Sequence, residues 1–301
     1  MNENISLLHN SSIDYKRWNS TVIKAVNSRV YALSWFLDIV APDWQGIVVG
    51  DYEYVMPLAV ASKWGITYAY QPVFAQQHGI FPPAPSELSF AMLELVRKKF
   101  RLVDISLNSF NLNHNEFFEV EERKNYLLNL NKHYTDLAEN YSNGGKNNLK
   151  KAIKLNTVLN TISVADFLKI TAETKGYHKK HPSLRLLKQL TSVSLSQGFG
   201  SIYGAYSANN QLTGAAFFIK CGNRYIYLSS CSTEEGKKNN SMFSIIDTFI
   251  ANHANEPAIL DFEGSNIPGI AYFFGCFGAK PETYLHLKSN RLPWFVKLFK
   301  R

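Results

Sequence analysis

The chain is poor in cysteine, in long apolar runs and in any highly specific catalytic signature. Only Cys221, Cys231 and Cys276 occur, in no CxxC spacing. A set so odd and sparse excludes a disulfide framework and points to a reducing compartment. The opening MNENISLLHNSS has no basic region followed by an apolar core, so no secretory signal is expected. No run of about 18 uninterrupted apolar residues is present, which argues against a transmembrane helix. There is no GxSxG elbow and no GxxxxGK followed by Ser or Thr. Gly198-Phe199-Gly200 precedes a strand pattern instead of opening a helix, so it is not a dinucleotide fingerprint. His178 and His181 have HxxH spacing, but the lysines between them repel a cation, and no metal site is expected.

What is present is a globular composition. Over 301 residues, 46% are hydrophobic and 19% charged, enough for a core and too apolar for disorder. The length suits two domains of ordinary size. The formal charge of +8 and a pI near 9.2 favour an anionic partner: a phosphate-bearing donor, RNA or a membrane surface. Lysines gather at 146–154, 175–188, 237–238 and the C-terminus.

The chain also repeats a pattern. GIVVGDYEYVMPLAVASKWGITYAYQPV, a helical stretch and LVDIS are matched by SIYGAYSANNQLTGAAFFIKCGNRYIYLSSC, a helical stretch and ILDFE. Each reads strand, tight turn, strand, turn, strand, helix, strand, with Asp104 and Asp261 at matching places. Self-similarity on this scale means two copies of one domain, not a solenoid. Apolar residues at three- and four-residue spacing predict two helices before the first hairpin, over 15–26 and 32–40. Gly50-Asp51 and Asn209-Asn210 predict hairpin turns. Ser86 is the expected cap of a helix running to Phe100. Residues 117–120 and 126–130 read as a further hairpin, Gly144-Gly145 as a breaker, and residues 284–288 as the strand that ends the second sheet. Apolar content falls between 131 and 143, which places the boundary of the two domains at 1–135 and 136–301.

Helix, helix, hairpin, third strand, loop, helix, strand resembles the GNAT acyltransferase superfamily. Two such units resemble the Fem-type aminoacyltransferases and their bacterial FemAB-like relatives. LDFEGSNIPGIAYFFGCFGAKPETY (260–284) is the segment most similar to the end of such a domain. RYIYLSSCSTEEGKKNNSMFSIIDTFI and NGGKNNLKKAIK resemble other recurrent segments. The resemblance implies an α/β (mixed α+β) fold: two tandem GNAT-like domains, each a mixed, mostly antiparallel twisted sheet with flanking helices. It implies an acyl or aminoacyl group moved from a CoA thioester or aminoacyl-tRNA, as co-substrate and not as a permanently bound cofactor. The acceptor would be an amine or hydroxyl of an envelope, polysaccharide or peptide molecule. The implied location is cytoplasmic, including the inner face of the membrane. Departures are clear: the loop Glu235–Asn240 has one glycine where acetyl-CoA enzymes have two or more, and no heptad run matches the coiled-coil arm of Fem-type enzymes.

On this resemblance the donor site falls in the second copy. Tyr227 and Ser229 share one face of the strand beside the donor gap. Gly236, Lys237, Lys238, Asn239 and Asn240 form the phosphate loop. Glu263 at a strand end is the candidate base or amine-binding group, and Tyr272 the candidate general acid. His78, Lys146 and Lys150 are candidate substrate-binding residues, the first because 75–83 carries no basic residue to hold pyrophosphate. The apolar and basic tail RLPWFVKLFKR suggests peripheral membrane contact. The rival reading is a non-catalytic ligand-binding module on a degenerate GNAT scaffold. General RNA binding through the lysine patches ranks last.

Overall fold

A computed structural model describes residues 4–112, 116–159, 161–178, 180–264 and 266–293; the tail at 294–301 lies outside the described residues. The chain forms two compact units, 1–123 with 283–301, and 124–282. The boundary read from the sequence therefore differs at two places: 124–135 belong to the second unit, and 283–301 to the first.

In the first unit β1 (Ile5–His9) precedes two helices, α1 (Tyr15–Lys24) and α2 (Ser34–Val40). Asp14 caps α1 by accepting from the amides of Lys16 and Arg17, and the Trp18 indole donates to the Ala32 carbonyl at 2.8 Å. Strands β2 (Gln45–Val49), β3 (Tyr54–Lys63) and β4 (Ile66–Tyr70) follow as hairpins. Helix α3 (Ser86–Lys99) leads to β5 (Leu102–Ser106). Pro85, not Ser86, holds the cap position of α3; its fixed φ suits the entry to a helix.

Residues 117–130 do not form the expected hairpin. They run as one strand, β6 (Glu119–Asn129). Its centre, EERK, has no turn former, so nothing reverses the chain. The second unit then repeats the plan with α4 (Tyr134–Glu139), α5 (Asn143–Leu155), β7 (Asn156–Leu159), α6 (Val164–Lys175) and α7 (Pro182–Ser196). Strands β8 (Gly200–Ser207), β9 (Leu212–Cys221) and β10 (Arg224–Ser232) come next, then α8 (Glu234–Lys238), α9 (Ser241–His253), β11 (Ile259–Gly264), α10 (Pro268–Gly275) and β12 (Lys280–Asn290).

The strand order is β1-β2-β3-β4-β5-β12 in the first unit and β7-β8-β9-β10-β11-β6 in the second. Within each, the fourth and fifth strands are parallel and the other pairs antiparallel. The sixth strand of each comes from elsewhere in the chain. Residues 284–288 thus do not end the second sheet: His286–Asn290 pair with β5, and Leu285 and Leu287 enter the first core. The second core packs Phe218, Phe249, Phe262 and Phe277 between sheet and helices. No helix among the described residues is long and apolar enough to cross a membrane.

Gly144 and Gly145 do not break the chain; they form the first turn of α5. A Cβ on Gly145 would stand 2.6 Å from the Cys276 carbonyl oxygen, and one on Gly144 would fall within van der Waals overlap of the Tyr272 hydroxyl. The pair of small residues seats α5 on the end of α10.

Candidate functional site

The parallel pair of the second unit is short. Its ladder runs from Arg224↔Ile259 to Ile226↔Asp261 and no further, although β10 continues to Ser232. Below the fork, Arg224 Nη1 stands 2.6 Å from Asp261 Oδ2, both side chains buried. The other oxygen, Asp261 Oδ1, accepts the Glu263 amide at 2.9 Å. Glu263 has φ 59°, a left-handed conformation that strains a non-glycine residue. Asp261 therefore pins the strands together and also bends β11 away. On the other side β10 carries a bulge between Tyr227 and Ser229, which turns its backbone out of the regular ladder; Tyr227 opposes Phe218 and Ser229 opposes the next residue, Phe217, so the two do not share one face as the sequence predicts. The ladder thus ends in a wedge where β10 and β11 cease to pair.

Two buried polar atoms beside it have no hydrogen-bond partner: Ser229 Oγ on β10, and Asn125 Nδ2 on β6, where Asn125 pairs with Gly264. Leaving a buried polar atom unpaired costs about 1–3 kcal/mol, so each is a natural contact for a bound group. Asn125 was not among the residues read from the sequence. The sequence offers only an amide between the charged and the apolar half of β6, EVEERK and YLLN, which is a weak signal.

The remaining expected residues divide. Tyr227 is buried, its ring against Phe218 at 5.5 Å and Phe262 at 6.2 Å, and burial pushes its phenol well up. It packs in the second core. Glu263 is half-buried at the strand end, and Tyr272 is 62% exposed on α10. Cys276, one turn on, pushes the Tyr272 phenol up, so it keeps its proton at neutral pH.

The expected phosphate loop is different from what a pyrophosphate cradle needs. Thr233 caps it, Glu234 and Glu235 fill a first turn, and the segment winds into α8. The amides of Gly236, Lys237, Asn239 and Asn240 all donate inside the chain, to Thr233 Oγ1, Thr233 O, Glu235 O and Lys237 O. A Cβ on Gly236 would overlap the Thr213 carbonyl oxygen, so the glycine lets α8 lie on β9. Lys237 pairs with Glu234 at 2.5 Å, the Lys238 carbonyl accepts from Lys151 Nζ at 2.8 Å, and Asn240 Nδ2 donates to Asn148. These residues do not present the free amides that hold CoA pyrophosphate in an enzyme of that type.

His78 does not line a substrate surface. It is 2% exposed, its amide donates to the Ser106 carbonyl, and its carbonyl accepts from Asn108 Nδ2. Burial holds its pKa down at about 4, against the opposing Tyr31 backbone. Lys146 and Lys150 are exposed on α5, with Lys146 Nζ on the Glu139 carbonyl at 2.8 Å.

The first unit has the same parallel pair, Ala69↔Val103 and Tyr70↔Asp104, but its continuation is filled. Gln71 Oε1 accepts the Ser106 amide at 2.8 Å, and the His78 amide takes the Ser106 carbonyl. Ser106 Oγ meets His286 Nδ1 at 2.9 Å, and His286 Nε2 stands 2.8 Å from Asp104. Ser106 is 1% and His286 2% exposed, so the contact between them is a buried structural tie.

Sheet order, the lone parallel pair and the bulged fourth strand define a GNAT-like fold. Among solved structures, FemX superposes over 93% of this chain and 96% of its own, with a TM-score of 0.64 at 13% identity. L-PGS from Bacillus licheniformis matches over 95% of both chains, with a TM-score of 0.56 at 10% identity. A GNAT-family acetyltransferase from Colwellia psychrerythraea matches over 95% of this chain and 99% of its own, at 0.54 and 13%. The expected resemblance to Fem-type and GNAT proteins thus holds for the fold. No family model matches the chain, and no curated protein sequence matches it.

Proposed function

We propose that the chain is a GNAT/FemAB-like transferase that moves an aminoacyl or acyl group from an ester donor to an amine or hydroxyl, at the wedge between β10 and β11. One observation carries the reading. The second unit keeps a fork where β10 and β11 cease to pair and β10 is bulged, whereas the same place in the first unit is closed by Gln71 and His78. The closed amides of α8 favour an ester donor such as aminoacyl-tRNA over a CoA thioester. The likeness to FemX and L-PGS supports the same direction.

In this reading the donor carbonyl lies in the fork, where the bulged backbone and Ser229 stabilise the developing oxyanion. The acceptor nitrogen or oxygen bonds to that carbonyl carbon and gives its proton to Glu263. The ester C–O bond breaks, and the leaving oxygen takes a proton from Tyr272. An envelope precursor is the proposed acceptor class, and the inner face of the membrane the proposed place of work.

The test offers the full chain charged tRNA or acyl-CoA, with hydroxylamine as a small general acceptor, and follows hydroxamate formation. Turnover of charged tRNA is expected. Glu263→Gln and Tyr272→Phe should each lower it roughly 10²–10⁴-fold. Turnover of neither donor, or turnover unchanged in both variants, overturns the reading.

A further inference from the structure

Helices α6 and α7 leave an open groove of about 1050 Å³ on the second unit, apart from the wedge residues. Its origin is visible in the pattern of α6. Phe167, Ile170 and Thr171 are buried on one face, and residues 165, 168, 169, 172 and 173 form the stripe of the other. The floor is aliphatic: Ala165, Leu168, Ala172 and Leu184. The rim carries Lys169, Lys180, Arg185 and Lys188, with Glu173 the single acid among its lining residues. None of the four cations has an ion pair among the described residues.

We infer that this groove docks the chain on an acidic phospholipid surface, with headgroup phosphates on the four rim cations and the first methylenes of an acyl chain on the aliphatic floor. Charge complementarity selects the anion, since four cations face one carboxylate. The floor selects lipid over nucleic acid. Single-stranded nucleic acid is held by stacking bases on open aromatic faces. The two lining rings, Tyr177 and His178, both pack on one histidine, His181, Tyr177 face to face at 3.9 Å and 7° and His178 edge-on at 5.6 Å. That histidine also caps α7, which fixes the ring in place. The inference is independent of the transferase reading, and a soluble acceptor would not affect it.

The experiment is co-sedimentation of the full chain with vesicles of phosphatidylcholine alone and of phosphatidylcholine mixed with phosphatidylglycerol. Binding is expected only to the mixed vesicles, weakening as salt rises. The triple variant Lys180→Glu, Arg185→Glu, Lys188→Glu should lose about 100-fold or more in apparent affinity, at about fivefold per cation. The pair Lys24→Glu, Lys98→Glu, on other helices, should bind as before. The corresponding triple alanine variant and matched melting curves guard against misfolding. Equal binding to neutral vesicles, an unchanged triple variant, or a comparable loss in the control pair overturns the inference. So does binding that disappears when 294–301 are removed while the triple variant binds normally, or tighter salt-matched binding of RNA that the triple variant abolishes.

Discussion

His78 illustrates how burial decides what a residue can do. In sequence it is a histidine in a proline-bounded loop, an ordinary candidate for ligand contact. In the structure the loop turns inward, because Phe81 and Val55 exchange backbone hydrogen bonds and His78 bonds to Ser106 and Asn108. The folded ring takes up a proton only near pH 4, whereas the unfolded one does so at 6.5. Stability is therefore complete above pH 6.5 and is lost as pH falls towards 4, since only the unfolded chain binds the proton in that window. The loss should reach about 3 kcal/mol at the lower limit. Urea midpoints at pH 7, 5.5 and 4.5 should fall progressively, and the slope should flatten in His78→Gln. Glu121, whose carboxyl is held at about 2 by Arg123 and Lys288, begins to add its own loss near pH 4.5, at the acid end of the window, where the unfolded carboxyl starts to bind a proton. Asp261 shows the opposite lesson. An acid between Leu260 and Phe262 in a strand must find a cation, and Arg224 supplies it.

At the scale of single elements, helices with strong apolar spacing and hairpins with Gly or Asn turns were legible, while α8 was not. Its one glycine reads as a weakened phosphate loop. What decides the matter is the Thr233 cap and the Thr213 carbonyl on a distant strand, and the latter contact has no local signal. Gly236→Ala should thus lower stability by about 1–3 kcal/mol, although alanine is the better helix former. The clash is with backbone, which cannot swing aside. Gly269→Ala in α10 meets no atom within 4 Å and should be neutral or gain about 0.5–1 kcal/mol. The melting temperature of Gly236→Ala should fall while that of Gly269→Ala holds or rises. The wedge itself was half legible: strand, acid and bend are in LDFEG, but the unpaired Asn125 comes from β6, far away in sequence.

For the whole molecule, the repeat in the sequence predicts two tandem domains, and the chain divides into two compact units with other limits. Hydropathy placed the division where apolar content drops. The structure divides the chain at 123/124 and returns its last strand to the first unit, because pairing partners, not composition, determine which core a strand enters. Residues 124–282 expressed alone should melt cooperatively by circular dichroism. Residues 136–301 should not, since they lack β6 and expose the β11 edge it covers. A fragment 1–135 should aggregate, because Leu285 and Leu287 are absent from its core.

The tie between Ser106 and His286 spans 180 residues. A ribosome adding about 5–20 residues per second leaves β5 without that neighbour for roughly 10–40 s. During that interval the nascent first unit presents an open sheet edge, and any chaperone that shields such edges in the cell has its natural client window there.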